Sequence, residues 1–160
     1  MDANLINPFL IAAKNVIETM AQTPVKPQKP RLKQAKTTYG EVTGIIGMIS
    51  DQVAGNMILS FSKACILKIV ANMLMEPEKD QVDDSIIDAV GELTNMICGG
   101  AKAELAKKGM KFNLATPTMV VGKGLEISYY SEAPTIVIPF ETPGGEFVIE
   151  ANLGTRANRG

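Results

Sequence analysis

The 160-residue chain contains no histidine. That absence excludes Ser-His-Asp and Cys-His catalysis and any zinc site built on imidazole. Acid–base or water-positioning chemistry must come from carboxylates, amides, Lys, Tyr or Cys. Cysteine is scarce as well: Cys65 and Cys98 lie 33 positions apart, each inside an apolar pattern. They form no CxxC, so neither a thioredoxin-like motif nor a metal knuckle is present. They read as two reduced core thiols of a cytoplasmic protein. Long apolar runs are missing too. Ala64 to Met75 is interrupted by Lys68 and Asn72 and is too short to span a bilayer. The first residues lack the basic and apolar regions of a signal peptide. Neither charge sign dominates: Lys+Arg 16 against Asp+Glu 17 gives a net charge of −1. That is not the footprint of a nucleic-acid binder. The expected setting is the cytoplasm, with no membrane and no nucleic acid as partner.

What is present suits one globular domain over residues 1–160. Hydrophobic residues make up 46% and charged residues 21%, enough for a core that needs no metal or disulfide staple. Asn7-Pro8 reads as N-cap and first turn of a helix carrying Phe9, Ala12, Ala13, Val16, Ile17 and Met20 at helical spacing. Pro24, Pro27 and Pro30, interleaved with Lys26, Lys29, Arg31, Lys33 and Lys36, predict an extended, solvated connector over 24–36. Glu41 to Phe61 predicts two antiparallel strands turning at Ser50-Asp51-Gln52. Gly44, Gly47 and Gly55 inside them point to bulges or close approach of another element. Helical spacing returns over Ser62 to Met75 and again over Ser85 to Lys108, closed by Gly109 as a C′ glycine. Strands are expected at Thr118 to Val121, Leu125 to Tyr130, Pro134 to Phe140 and Glu146 to Leu153, with a frayed tail over 155–160. The sum is an α+β fold, helices on one face of a mostly antiparallel sheet.

One constellation has chemical content. On the helix from Ser85, residues Ile86, Val90, Leu93, Ile97, Ala101 and Leu105 share a core stripe. Asp88, Glu92, Asn95 and Gly99 fall on the opposite side, and Glu92 and Asn95 are surface neighbours. Such a face is also what any amphipathic helix shows. Asp88 has a second reading, as partner of an N-cap Ser85 in a capping box. Gly99-Gly100 costs about 2 kcal/mol relative to two alanines in a helix, so something must offset it. Gly100 points toward close helix–sheet packing. Gly99 leaves a depression beside Glu92 and Asn95, suited to a partner's loop.

Asp88-x-x-x-Glu92-x-x-Asn95, followed at a distance by Pro117, resembles the signature of the CheC/CheX/FliY phosphatases of bacterial chemotaxis. The gap to Pro117 is one residue shorter than in that signature. Gly55-Asn56-Met57-Ile58-Leu59-Ser60-Phe61, a helix ending in Met73-Leu74-Met75, an acidic loop and then the motif helix are similar to the family's layout. The likeness extends roughly from Asn4 to Leu153. The first helix offers Lys14-x-x-x-Glu18-x-x-Ala21, in which Ala21 replaces the Asn. One intact and one degenerate copy is similar to CheX members.

The resemblance implies hydrolysis of the phospho-aspartate of a CheY-type response regulator. Asn95 would orient the attacking water, and Glu92 would pair with the regulator's Lys. Asp88 and Gly99 would assist docking, and Pro117 would carry no chemistry. The protein would hold no cofactor of its own, Mg²⁺ being carried by the regulator. It also implies a homodimer, with an edge supplied by strands such as Thr135 to Phe140. Two other readings compete. One is a non-catalytic module that binds a regulator or a flagellar-switch component. The other is a metal-dependent hydrolase using Asp83, Asp84, Asp88 and Glu92.

Overall fold

The computed structural model describes residues 3–129 and 131–156. Within them the chain runs α1 (Ala3–Ala21), β1 (Lys26–Pro27), β2 (Arg31–Leu32), β3 (Val42–Ile49), β4 (Val53–Phe61), α2 (Lys63–Leu74), α3 (Asp84–Ala106), β5 (Asn113–Leu114), β6 (Thr118–Val121), β7 (Ile136–Thr142) and β8 (Gly145–Thr155). The expected α+β architecture is what forms. Helix α1 begins a turn before Asn7-Pro8, so Pro8 lies inside it. Proline has no N–H to give the carbonyl four residues back. That carbonyl, on Asn4, instead accepts a hydrogen bond from Lys108 Nζ at 2.8 Å.

Strands pair in the order β1-β7-β8-β4-β3-β5, with β2 also on β7 and β6 also on β3. Every pairing is antiparallel. The turn at Ser50-Asp51-Gln52 falls as expected, Ser50 N–H donating to Val53 O at 2.8 Å. The proline-rich stretch, in contrast, is no solvated connector. Its extended backbone, favoured by the prolines, suits an edge strand, and the residues between them still have N–H groups to give. Gln28 N–H reaches Pro139 O at 2.8 Å and Lys33 N–H reaches Thr135 O at 2.9 Å. As a consequence β7 carries β8 on one side and β1 and β2 on the other. The edge assigned above to a homodimer is covered by the chain's own residues. Leu125 to Tyr130 was also expected as a strand. Its described part makes only an isolated bridge, Thr37 with Glu126, because its backbone bonds go to Lys36 and Thr38, which lie outside every strand of the sheet. Tyr130 and residues 157–160 lie outside the described residues, and Thr155 closes β8 against Val53.

The pleat sorts the sheet into two faces. Val42, Ile46, Met57, Leu59, Phe61, Ile138, Phe140, Phe147 and Ile149 point to the helices and are buried with Phe9, Ile17, Ile66, Ile69, Val90 and Leu93. Phe147 stacks on Phe140 with centroids 4.8 Å apart. Helix α3 comes down hard on β3 at Gly44. A Cβ there would lie 2.2 Å from Thr94 Oγ1. Thr94 is itself buried and donates to Val90 O at 2.7 Å, so it cannot swing away. Gly44→Ala should therefore cost about 1–3 kcal/mol by overpacking. A lowered urea midpoint, partly restored by adding Thr94→Ala, is the expected result. An unchanged midpoint would contradict this account of the helix position.

The outer face holds a polar cluster that residue spacing did not foretell. Lys33 Nζ pairs with Glu150 Oε1 at 2.6 Å, and both side chains are at most 9% exposed. Tyr129 OH donates to the same oxygen at 2.7 Å. Burial, then the Glu150 charge, pushes the Tyr129 hydroxyl well above its ordinary pKa. This cluster ties Lys33 and Tyr129 to β8 at Glu150, on the face of the sheet opposite the helices, where Ile58, Val137 and Val148 are also buried.

Candidate functional site

The motif helix is set at its start by Asp83, whose Oδ1 accepts from Ile86 N–H at 3.0 Å. The N-cap is thus Asp83 and not Ser85. Ser85 Oγ instead donates to Asp83 Oδ1 at 2.7 Å, and Lys79 Nζ lies 2.7 Å from Oδ2. A carboxylate accepts the helix N–H better than a hydroxyl does and also suits the positive end of the dipole. Lys79, then Ser85 and the Ile86 N–H, hold the Asp83 carboxyl well below the usual range. This removes the capping explanation for Asp88, which stands exposed beyond the cap. The far end closes as expected, Gly109 at φ +84°. Gly109 N–H bonds to Ala106 O at 3.0 Å and Met110 N–H to Leu105 O at 3.1 Å, the paired bonds of a Schellman motif.

Between these caps the buried face of α3 comprises Ile86, Val90, Leu93, Thr94, Ile97, Cys98, Ala101 and Leu105. All six positions of the expected core stripe are among them. Because Leu93 and Thr94 point into the core, Glu92 and Asn95 on either side must point out. Both are exposed, as is Asp88. Among the described residues none of the three forms a hydrogen bond or ion pair. The helix that carries them is rigid: Thr94 seats on Gly44, and a Cβ at Gly91 would lie 3.6 Å from Met119 Sδ of β6. Pro117 directly precedes β6, where a strand tolerates a residue without an N–H.

The two adjacent glycines have different reasons. A Cβ at Gly100 would meet Ala12 Cβ at 3.1 Å, so close packing of α1 on α3, and not of helix on sheet, calls for it. A Cβ at Gly99 would meet nothing within 4 Å. A side chain at Gly99 would therefore meet open space, and no packing among the described residues calls for the glycine.

The degenerate copy on α1 is occupied by other work. Glu18 is tied to Lys14 at 2.6 Å, which holds its carboxyl below the ordinary value, and Ala21 is fully buried. The thiols offer no nucleophile: burial pushes Cys65 up to about 11 and Cys98 up to about 12. Among the described residues no group of three or more Cys, Asp or Glu side chains converges as a metal would need. Asp83 is committed to the cap, so the hydrolase reading on Asp83, Asp84, Asp88 and Glu92 loses its first ligand. Concavities at Pro24, Val25 and Glu141 and at Asn4 and Lys108 include neither Glu92 nor Asn95. The pair is exposed on the helix surface and lines neither of them. Among the described residues no helix is long and apolar enough to cross a membrane.

Three helices on one face of an antiparallel sheet, the longest presenting a free carboxylate and amide, define a CheC-like α+β protein. A CheC-like superfamily protein from Shewanella sp. PV-4 superimposes with a TM-score of 0.88 at 40% identity, over 98% of this chain and 100% of that one. The profile of the family described as chemotaxis phosphatase CheX matches residues 42–141. The CheY-P phosphatase CheX of Thermotoga maritima is 29% identical over 130 residues, 81% of this chain and 83% of that protein. A CheX from Borrelia burgdorferi, solved as a CheX-CheY-BeF3-Mg²⁺ complex, matches with a TM-score of 0.76 at 26% identity, over 95% of this chain and 97% of that one. The chain belongs to the CheX family of chemotaxis phosphatases.

Proposed function

We propose that this protein hydrolyses the phospho-aspartate of a CheY-type response regulator in the cytoplasm, with Glu92 and Asn95 as its working residues. The observation that carries the reading is the free, exposed carboxylate–amide pair on a helix packed against the sheet, in a chain whose relatives include a CheY-P phosphatase. An acyl phosphate is labile, so positioning and electrostatics suffice to speed its loss. The Borrelia complex, with CheY, BeF3 and Mg²⁺, supports a regulator that brings its own metal. That metal polarises the phosphoryl oxygens when bound. This chain's part is to bring Asn95 into the regulator's pocket, where its amide holds a water in line with the phosphorus. The water oxygen bonds to phosphorus, the bond to the aspartyl oxygen breaks, and the carboxylate leaves with the electron pair. The water proton passes to the released phosphate. No general base is required, which suits a chain without histidine.

Glu92 docks on the regulator's lysine, and Asp88 and Gly99 border that contact. A hydrogen bond between charged groups contributes about 1.5–3 kcal/mol. Glu92→Ala should therefore raise KM for the phosphorylated regulator by roughly tenfold to a hundredfold, with a smaller change in kcat. Decay of a phosphorylated regulator, followed at catalytic and at stoichiometric amounts of protein, tests the whole proposal. Acceleration only at stoichiometric amounts would mean sequestration by a binding module and would overturn it.

A further inference from the structure

Gly99 poses a physical question that Gly100 does not. A helical glycine costs about 1 kcal/mol relative to alanine, yet a side chain at Gly99 would meet open space. Nothing among the described residues requires it. Three residues further on is Lys102, exposed on the same flank. At about 100° per residue, Asn95, Gly99 and Lys102 lie within roughly 60° of one another around α3. The amide and the ammonium are separated by about 10 Å along the axis, with the bare glycine between them.

Lys102 also differs from the other cations at this end of α3. Lys107 is held by Glu104 at 3.0 Å, and Lys108 by the Asn4 carbonyl. Among the described residues Lys102 has no acidic partner and no hydrogen bond. The exposed face of α3 therefore runs from acidic (Asp88 and Glu92) through a neutral gap to a free positive charge.

We propose that Asn95, Gly99 and Lys102 form a saddle for an acidic backbone segment of the regulator, crossing α3 at Gly99 with a carboxylate on Lys102. The inference rests on the proposed function and adds to it a third docking residue and the chemistry of its partner. A pocket that holds Mg²⁺ must be lined by oxygen ligands, carboxylates foremost, so its rim offers the negative charge Lys102 lacks. Close backbone approach explains why the saddle floor has no Cβ. Lys102 is a docking residue: it sits too far from Asn95 to touch the phosphoryl group.

The test uses the full chain and a cognate CheY-type regulator in two states, phosphorylated for turnover and BeF3-loaded for binding. Lys102→Glu should raise KM and the dissociation constant at least tenfold at low ionic strength, with kcat unchanged. The deficit should shrink as salt rises, and Lys102→Arg should restore binding. Gly99→Leu should weaken binding by a similar factor while melting no lower than wild type, since its side chain meets open space. If both variants bind the BeF3-loaded regulator like wild type while Asn95→Ala is inactive, the saddle is wrong and the proposed function stands. If Asn95→Ala retains full activity, it is the proposed function that falls.

Discussion

Asn95→Ala should dephosphorylate a cognate regulator about a hundredfold or more slower than wild type, while binding its BeF3-loaded form almost as well. The exposed amide forms no hydrogen bond among the described residues, so its removal leaves no partner unpaired and no buried cavity. Melting temperature and circular dichroism should not change. The expected loss is in kcat, because orientation of water matters only as the transition state is approached. Misplacing a reacting group by about 1 Å can cost roughly 10²-fold, and losing one transition-state hydrogen-bond donor about 10²–10³-fold. Asn95→Asp is the sharper control. It keeps the shape but removes the N–H donors and places a negative charge beside a phosphoryl group, so it should be at least as slow. Wild-type turnover by either variant would end the assignment.

The second large effect concerns stability and lies on the opposite face of the sheet. Lys33→Met should destabilise the fold by about 3–5 kcal/mol. Removing one partner of a buried ion pair leaves the other charge uncompensated in a poorly solvated site. Here the survivor is Glu150, 1% exposed, with only the Tyr129 hydroxyl left to bond it among the described residues. Lys33→Met with Glu150→Met should recover most of the loss, since apolar replacement of both members of such a pair is often neutral. Urea unfolding at constant m-value measures both. A single variant as stable as wild type would show the pair to be superficial. Below its melting range Lys33→Met should retain turnover, because the pair faces away from α3.

Much of the site was legible from spacing. The stripe Ile86, Val90, Leu93, Ile97, Ala101 and Leu105 is buried as its period requires, and Glu92 and Asn95 follow outward by geometry alone. The strand pair over 42–61 and the αL glycine at Gly109 were equally local matters. The errors share a cause. The stretch 24–36 reads as polar and proline-rich, and only β7, more than a hundred residues later, turns it into edge strands. Ser85 and Asp83 are both good caps in sequence. Lys79 and the backbone direction before α3 decide for Asp83.

The chain by itself determined which residues share a helix face, where turns fall, and that no imidazole or reactive thiol could serve, because these depend on neighbours a few positions apart. Only the tertiary structure decided that Lys33 meets Glu150, that Gly44 lets Thr94 seat α3 on the sheet, and that Gly99 opens on empty space while Gly100 is closed by Ala12. Such contacts join residues remote in the chain. They are set by how elements pack in three dimensions, which the periodicity of a single element does not encode.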